Sequence, residues 1–255
     1  MDIIILVNNM KQNLFLDIAE ELIKEKDSLI SKKKRKNIKI NHFVVDDNNH
    51  NIFKKNKGDY YTIVYDNKIL NKHRSNISKE VVQVLKSMFR KYNKSGKTLI
   101  IGLGNSDIIS DALGPKTTNK VIATNHFNDF LTIPKVALFV PEVIGKTGIS
   151  SYKLIKMVVK TIKPDNIIII DSLSTKNHQR LNNCIEISDT GIIPGSAIYS
   201  NREISAKTFG IPVIAIGVPL MIKIDNNLYT TPDIENILEL TSDILANALN
   251  TIFLT

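Results

Sequence analysis

The chain has 255 residues, 43% of them hydrophobic and 23% charged. That is enough apolar content to fill the core of one large α/β domain. A single cysteine, Cys184, excludes an intramolecular disulfide and leaves no cysteine cluster for zinc. The net charge of +9 is unevenly placed: residues 1–100 carry 21 Lys/Arg against 11 Asp/Glu, the remainder 13 against 14.

Residues 1–7 read as a short buried strand. This apolar opening lacks a basic flank and is too short for a signal core. No apolar run is read as long enough to span a bilayer, so the expectation is a protein that is neither secreted nor membrane-spanning, in keeping with one thiol in a reducing compartment. Residues 11–30 place Leu14, Ile18 and Leu22 at helical spacing. The run Lys32-Lys33-Lys34-Arg35-Lys36 reads as a solvated basic loop at about 31–37, with contact to nucleic acid or an acidic partner as its other reading. Residues 38–45 alternate, with Ile38, Ile40, His42 and Val44 on one face. Residues 60–65 form a β-branched and aromatic strand.

Ser78 can cap a helix whose apolar face is Val81, Val82, Leu85, Met88 and Phe89, with Gly96 ending it. Residues 98–103 are a continuous apolar run, as in a central parallel strand. Further strands are predicted at 121–123, 136–140, 167–170, 184–187 and 212–216. Helices are predicted at 147–162 and 232–253. Cys184 falls inside a strand, as a buried bystander thiol. Strands alternating with helices predict a three-layer α/β/α architecture with a largely parallel central sheet. No repeat or linker divides the chain, so residues 1–255 read as one domain.

In such sheets ligands bind beyond the carboxyl ends of the strands. Gly102-Leu103-Gly104-Asn105, leading to Asp111, leaves one strand, and Asp171 follows another. Two carboxylates at a shared site support acid/base chemistry, because one retains a proton the other has lost. Spacing alone leaves a second reading open, in which Asp111 caps a helix starting at Ala112 and Asp171 simply ends a strand. The Gly-x-Gly turn lacks the third glycine of a dinucleotide site, since Asp107 stands there. Asp189-Thr190-Gly191 matches the tripeptide of pepsin-like aspartic proteases, which are all-β, and is read as a turn. No histidines pair at zinc-ligand spacing; His126 is the best single candidate for a ligand or substrate contact.

Six blocks, in order, carry a resemblance. They are Ile101-Gly102-Leu103-Gly104-Asn105 with Asp111-Ala112-Leu113-Gly114-Pro115-Lys116; Gly145-Lys146-Thr147-Gly148; Lys163-Pro164-Asp165 leading to Ile170-Asp171; Ile187-Ser188-Asp189-Thr190-Gly191; Pro194-Gly195-Ser196; and residues 208–219. Together they resemble the germination proteases of endospore-forming bacteria, most closely over residues 98–219. The resemblance implies an atypical aspartic endopeptidase that degrades small acid-soluble spore proteins. It implies two essential aspartates, which fall on Asp111 and Asp171; around them Asn105, Asp189 and Thr190 are read as helping to shape the site, and His126 as a ligand or substrate contact. It also implies no cofactor or metal, synthesis as a zymogen, a tetrameric homo-oligomer, and a place in the cytoplasm of the forespore and spore core. The fold is shared with hydrogenase maturation proteases, of the phosphorylase-like kind.

Two departures stand out. Ile193 replaces the histidine of a His-Pro-Gly block. Ser172-Leu173-Ser174-Thr175-Lys176 replaces Ala-Leu-Ala-Ala-Arg, and lysine lacks the planar fork of arginine. These changes fit altered specificity, and they also fit an inactive paralogue with a binding role. Two further alternatives are a metal-dependent processing protease of the hydrogenase-maturation type, with Asp111, Asp171 and His126 as donors, and a nucleic-acid module built on residues 32–36.

Overall fold

The computed structural model describes residues 31–35, 37–49, 55–92, 96–127, 133–193 and 203–254. The strand and helix predicted within residues 1–30, and the turn at Pro194-Gly195-Ser196, lie outside the described residues.

The strands are β1 (Ser31–Arg35), β2 (Ile38–Val45), β3 (Gly58–Val64), β4 (Thr98–Gly102), β5 (Val136–Phe139), β6 (Asn166–Thr175), β7 (Cys184–Ser188), β8 (Val213–Ile224) and β9 (Asn227–Tyr229). The longer helices are α1 (Leu70–Tyr92), α2 (Leu113–Thr118), α3 (Ser151–Ile162) and α4 (Ile234–Leu254). The nine strands among the described residues join one sheet in the order β1-β2-β3-β7-β8-β6-β4-β5, with β9 on β8. The half formed by β8, β6, β4 and β5 is parallel, and the half formed by β1, β2, β3 and β7 is antiparallel. The sheet is therefore mixed, and the parallel arrangement read from the sequence is that of the half carrying Asp171.

β6 explains why the parallel half sits at the centre. Ile167, Ile168, Ile169 and Ile170 are all fully buried, so both faces of the strand are covered, as a continuous β-branched run requires. One face packs Ile168 and Ile170 with α1 and α4; the other packs Ile167 and Ile169 with α3. These are the three layers. α4 alone among the described helices is long and apolar enough to cross a membrane, and more than half of its apolar stretch is buried inside the fold. Its Phe253 meets Phe89 of α1 edge-on, with centroids 6.0 Å apart.

Several local expectations are corrected. The basic run expected as a loop is β1, paired along its length with β2 and fully exposed. Its cations suit a strand that must stay in water. In β2 the burial pattern inverts after Ile40: Phe43 and Val45 are buried and Val44 is exposed, because Phe43 stacks on Tyr60. Ser78 lies inside α1, which starts at Leu70 after a turn capped by the Asp66 carboxylate. Residues 121–123 form no strand. The helix predicted at 147–162 is broken by Gly148 in the left-handed conformation, and α3 begins at Ser151.

Candidate active site

The parallel strands deliver one aspartate directly. β6 continues through Asp171, which pairs with Gly217 of β8. Asp171 is thus part of the strand and does not end it. β4 lies alongside, and the Leu103 N–H still donates to the Ile170 carbonyl at 2.8 Å after β4 has ended. The chain then turns at Gly104 and Asn105 and returns through a short 3-10 turn, Ile109–Asp111, into α2.

α2 is held close against the strands. A side chain at Gly114 would meet the Leu103 carbonyl oxygen at 2.2 Å and the Ile170 carbonyl oxygen at 2.5 Å, so only glycine permits the approach. The Leu113 N–H faces the Ser172 hydroxyl at 3.4 Å. This packing carries Asp111 alongside the middle of β6, beside Asp171.

Asp111 is not a helix cap: no side chain caps α2. Its carboxylate accepts the Asn105 N–H at 2.8 Å, across the Gly104 turn. Burial pushes the Asp111 carboxyl up, the Asn105 bond pulls it down, and the Glu142 charge raises it further. Asp171 is pushed well above the usual carboxylate range, first by burial and then by the charge of Asp111, with a backbone bond from Ser172 opposing. The two carboxyls therefore share one electrostatic environment, and Asp171 is the one that holds its proton to higher pH.

A third acid, Glu142, was missed from the sequence. Its carboxylate accepts from the Ser106 N–H at 3.3 Å and stands 3.6 Å from Lys146, which is tied to Asp107 at 3.0 Å and to the Ser106 hydroxyl at 2.6 Å. Burial raises Glu142, but the Ser106 and Lys146 contacts outweigh it and leave its carboxyl below the ordinary value. Glu142 adopts φ 57°, rare for a residue with a side chain. The Gly145-Lys146-Thr147-Gly148 block was the only signal nearby.

The other candidates fall elsewhere. Asn105 belongs to the site through its backbone. Asp189 and Thr190 do not: Ser188 pairs with Ala215 and β7 runs antiparallel to β8. This places Asp189 roughly 10 Å down the strands and roughly 10 Å across the sheet from Asp171. There Asp189 accepts the Asp59 N–H at 2.7 Å, Lys91 Nζ at 2.6 Å and the Tyr92 hydroxyl at 2.5 Å. Thr190 is buried with its hydroxyl 3.2 Å from that of Ser188. His126 is exposed in a turn before β5, at the amino ends of the parallel strands. The donor set Asp111, Asp171 and His126 is therefore not assembled, and no group of three or more His, Cys, Asp or Glu side chains among the described residues is placed to hold a metal ion.

The Asp189 network is a stability element. His42 bonds Asp59 at 2.7 Å, and this bond, against burial and with help from Lys91, brings the Asp59 carboxyl down to about 2. Asp59 thus contributes stability above the ordinary carboxylate range, lost as pH falls toward its folded value. Asp189→Ala would leave the Asp59 N–H and the Tyr92 hydroxyl unpaired. It is expected to cost about 3 kcal/mol in denaturant unfolding, with the rate of any cleavage by the folded protein unchanged.

The sequence pattern of the germination protease family matches residues 6–242. A germination protease of Oceanobacillus iheyensis is 38% identical over 200 residues, covering 73% of this chain and 54% of the relative. One from Caldanaerobacter subterraneus is 34% identical over 232 residues, covering 86% of this chain and 71% of the relative. The chain thus spans about half the length of the first of these relatives. Among solved structures, the NiFe hydrogenase maturation protease HycI from Thermococcus kodakarensis KOD1 aligns with a TM-score of 0.38 and 18% identity, covering 65% of this chain and 98% of that one.

Proposed function

The chain belongs to the germination protease family, and from that premise we propose that it is an endopeptidase of small acid-soluble spore proteins, acting through Asp111 and Asp171. The observation that carries this reading is the close packing of α2 on β4 and β6, which sets Asp111, oriented by the Asn105 N–H, beside the buried Asp171.

Asp111 acts as the ionised partner and takes a proton from the attacking water. The Asn105 N–H keeps its carboxylate oriented. Asp171 holds the proton and delivers it to the leaving amine nitrogen as the tetrahedral intermediate collapses. Each turnover returns the pair to one shared proton. Burial, with the Glu142 charge adding to it, raises the proton affinity of Asp111, the direction that makes its carboxylate a stronger base.

The proposed substrates are largely unfolded when free, so they can enter as extended chains. By the same reading the enzyme works in the spore core, as a homo-tetramer released from a zymogen. Lys176 and Ile193 stand outside the acid pair, and their effect is assigned to specificity.

The test is incubation of the purified chain with a small acid-soluble spore protein, with and without EDTA. Discrete fragments, unchanged by the chelator, are expected. A folded protein that leaves the substrate intact would overturn the endopeptidase reading, and loss of cleavage on chelation would overturn the metal-free mechanism.

A further inference from the structure

α3 packs on the sheet through Tyr152, Ile155, Val158, Val159 and Ile162. Its other side is a row of cations. Lys153, Lys156, Lys160 and Lys163 follow one another at intervals of three, four and three residues, and all four are exposed. That spacing puts them on one side of the helix, over about 15 Å of its length. Met157, 64% exposed, stands beside them.

Among the described residues, no carboxylate answers this charge. The sequence has no acidic residue between Glu142 and Asp165. Lys146 takes up Glu142 and Asp107, and Asp165 accepts the Lys97 N–H at 2.8 Å. Lys156 Nζ lies 5.8 Å from the centre of the Tyr152 ring, and none of the four lysines has an ion pair among the described residues. Like charges three and four residues apart lower the stability of a helix. Lys153 adds to that cost, because it sits in the first turn, at the positive end of the helix dipole. A polyanion laid along the row would relieve both effects.

The row leads away from the acid pair. At the start of α3 the Ser151 hydroxyl donates to the Glu142 carbonyl at 2.8 Å. Beyond its end, the Asp165 N–H donates to the Lys97 carbonyl, just ahead of β4. α3 therefore runs from the side of the sheet where Glu142 and Asp111 stand to the amino ends of β4 and β6.

We propose that this row is a docking track for an acidic segment of the polypeptide substrate, lying outside the scissile bond. Naming that segment as substrate rests on the proteolytic reading. An extended chain advances roughly 3.3 Å per residue, so the track takes about five residues. Met157 offers an apolar contact to one of their side chains. The apolar side of α3 is already packed on the sheet, which leaves no apolar face to enter a bilayer. Four cations in one row fall short of the roughly 6–10 phosphate contacts that give strong duplex binding.

The test is fluorescence anisotropy of the full chain, at low salt, with a labelled peptide carrying a run of glutamates and with its glutamine counterpart. Saturable binding of the glutamate peptide is expected, with the glutamine peptide at least about tenfold weaker. Lys153→Gln/Lys156→Gln/Lys160→Gln should weaken the glutamate peptide about tenfold. Its Tm should be no lower than that of the wild type, because like charges are removed at exposed helix positions. Lys33→Gln/Lys34→Gln/Lys39→Gln takes the same charge from the exposed residues of β1 and β2 and should bind as the wild type does. Equal weakening by the two triple variants would assign the binding to net charge and overturn the proposal. So would the absence of saturable binding, or lysines of α3 that matter for duplex DNA or anionic vesicles and not for the glutamate peptide. In cleavage of a small acid-soluble spore protein, the α3 variant should raise KM about tenfold with kcat kept; an unchanged KM would overturn the substrate role of the track. A wild type that binds the glutamate peptide through these lysines but cleaves nothing would overturn the proteolytic reading and leave the track standing.

Discussion

Asp111→Asn and Asp171→Asn are each expected to lower kcat for peptide cleavage by about a thousandfold, while the two variants differ in stability. The amide keeps the shape of the carboxyl but can neither take a proton from water nor deliver one to a leaving amine. Asp171 is pushed well above the ordinary carboxylate range by burial and by Asp111. Between the unfolded and folded values, the folded protein holds a proton that the unfolded chain has lost. Folding is therefore penalised progressively as pH rises through that window. Asp171→Asn has no proton to lose, so its Tm should exceed that of the wild type at neutral pH. The gain should shrink as pH falls to the ordinary carboxylate range. Each kcal/mol of relief is worth roughly 2–4 °C for a chain of this size. Asp111→Asn should gain less, because Asn105 favours the charged carboxylate it replaces. Melting curves across pH, beside single-turnover cleavage, check both halves. A stabilised but fully active Asp171→Asn would remove that residue from catalysis.

Gly104→Ala is expected to disable the site from its backbone. Gly104 has φ 116°, and an added Cβ would fall 1.9 Å from the Asp111 carbonyl oxygen. Either the turn or Asp111 must move, and both are tied by the Asn105 N–H bond. The strained conformation costs roughly 1–3 kcal/mol. A displacement of Asp111 by about 1 Å is enough to lower the rate roughly a hundredfold. Denaturant unfolding and the cleavage rate measure the two effects separately. An unaltered rate would show that the turn does not set the position of Asp111.

The sequence held the parallel half of the fold in plain view. Ile167 to Ile170 and residues 98–103 are apolar without alternation, and such runs have few homes besides a doubly covered strand. The proposed acid pair was legible in the same segments, because Asp111 follows β4 and Asp171 directly follows the apolar run within β6. The antiparallel half was less so. The basic run looked like a loop because its residues are all solvent-facing, yet pairing with β2 makes it a strand. Asp189 was expected to help shape the site because its block accompanies the protease resemblance, while the strand direction that sends it down the sheet is a property of pairing with β8. Its partners Asp59 and Lys91 lie 130 and 98 residues away in the chain, beyond any local signal. Glu142 was hidden because only its backbone conformation and its spatial neighbours distinguish it from an ordinary surface acid.

The most direct test of the acid pair is a pH titration of the aspartate carboxyl carbons by NMR, in wild type, Asp171→Asn and Asp111→Asn. The wild type should show one aspartate keeping its proton well above the usual carboxylate range. That signal should vanish in Asp171→Asn and should titrate at lower pH in Asp111→Asn, where the neighbouring charge is gone. If Asp171 instead titrates with the surface aspartates and is unmoved by Asp111→Asn, the two are not coupled and the acid–base mechanism is wrong.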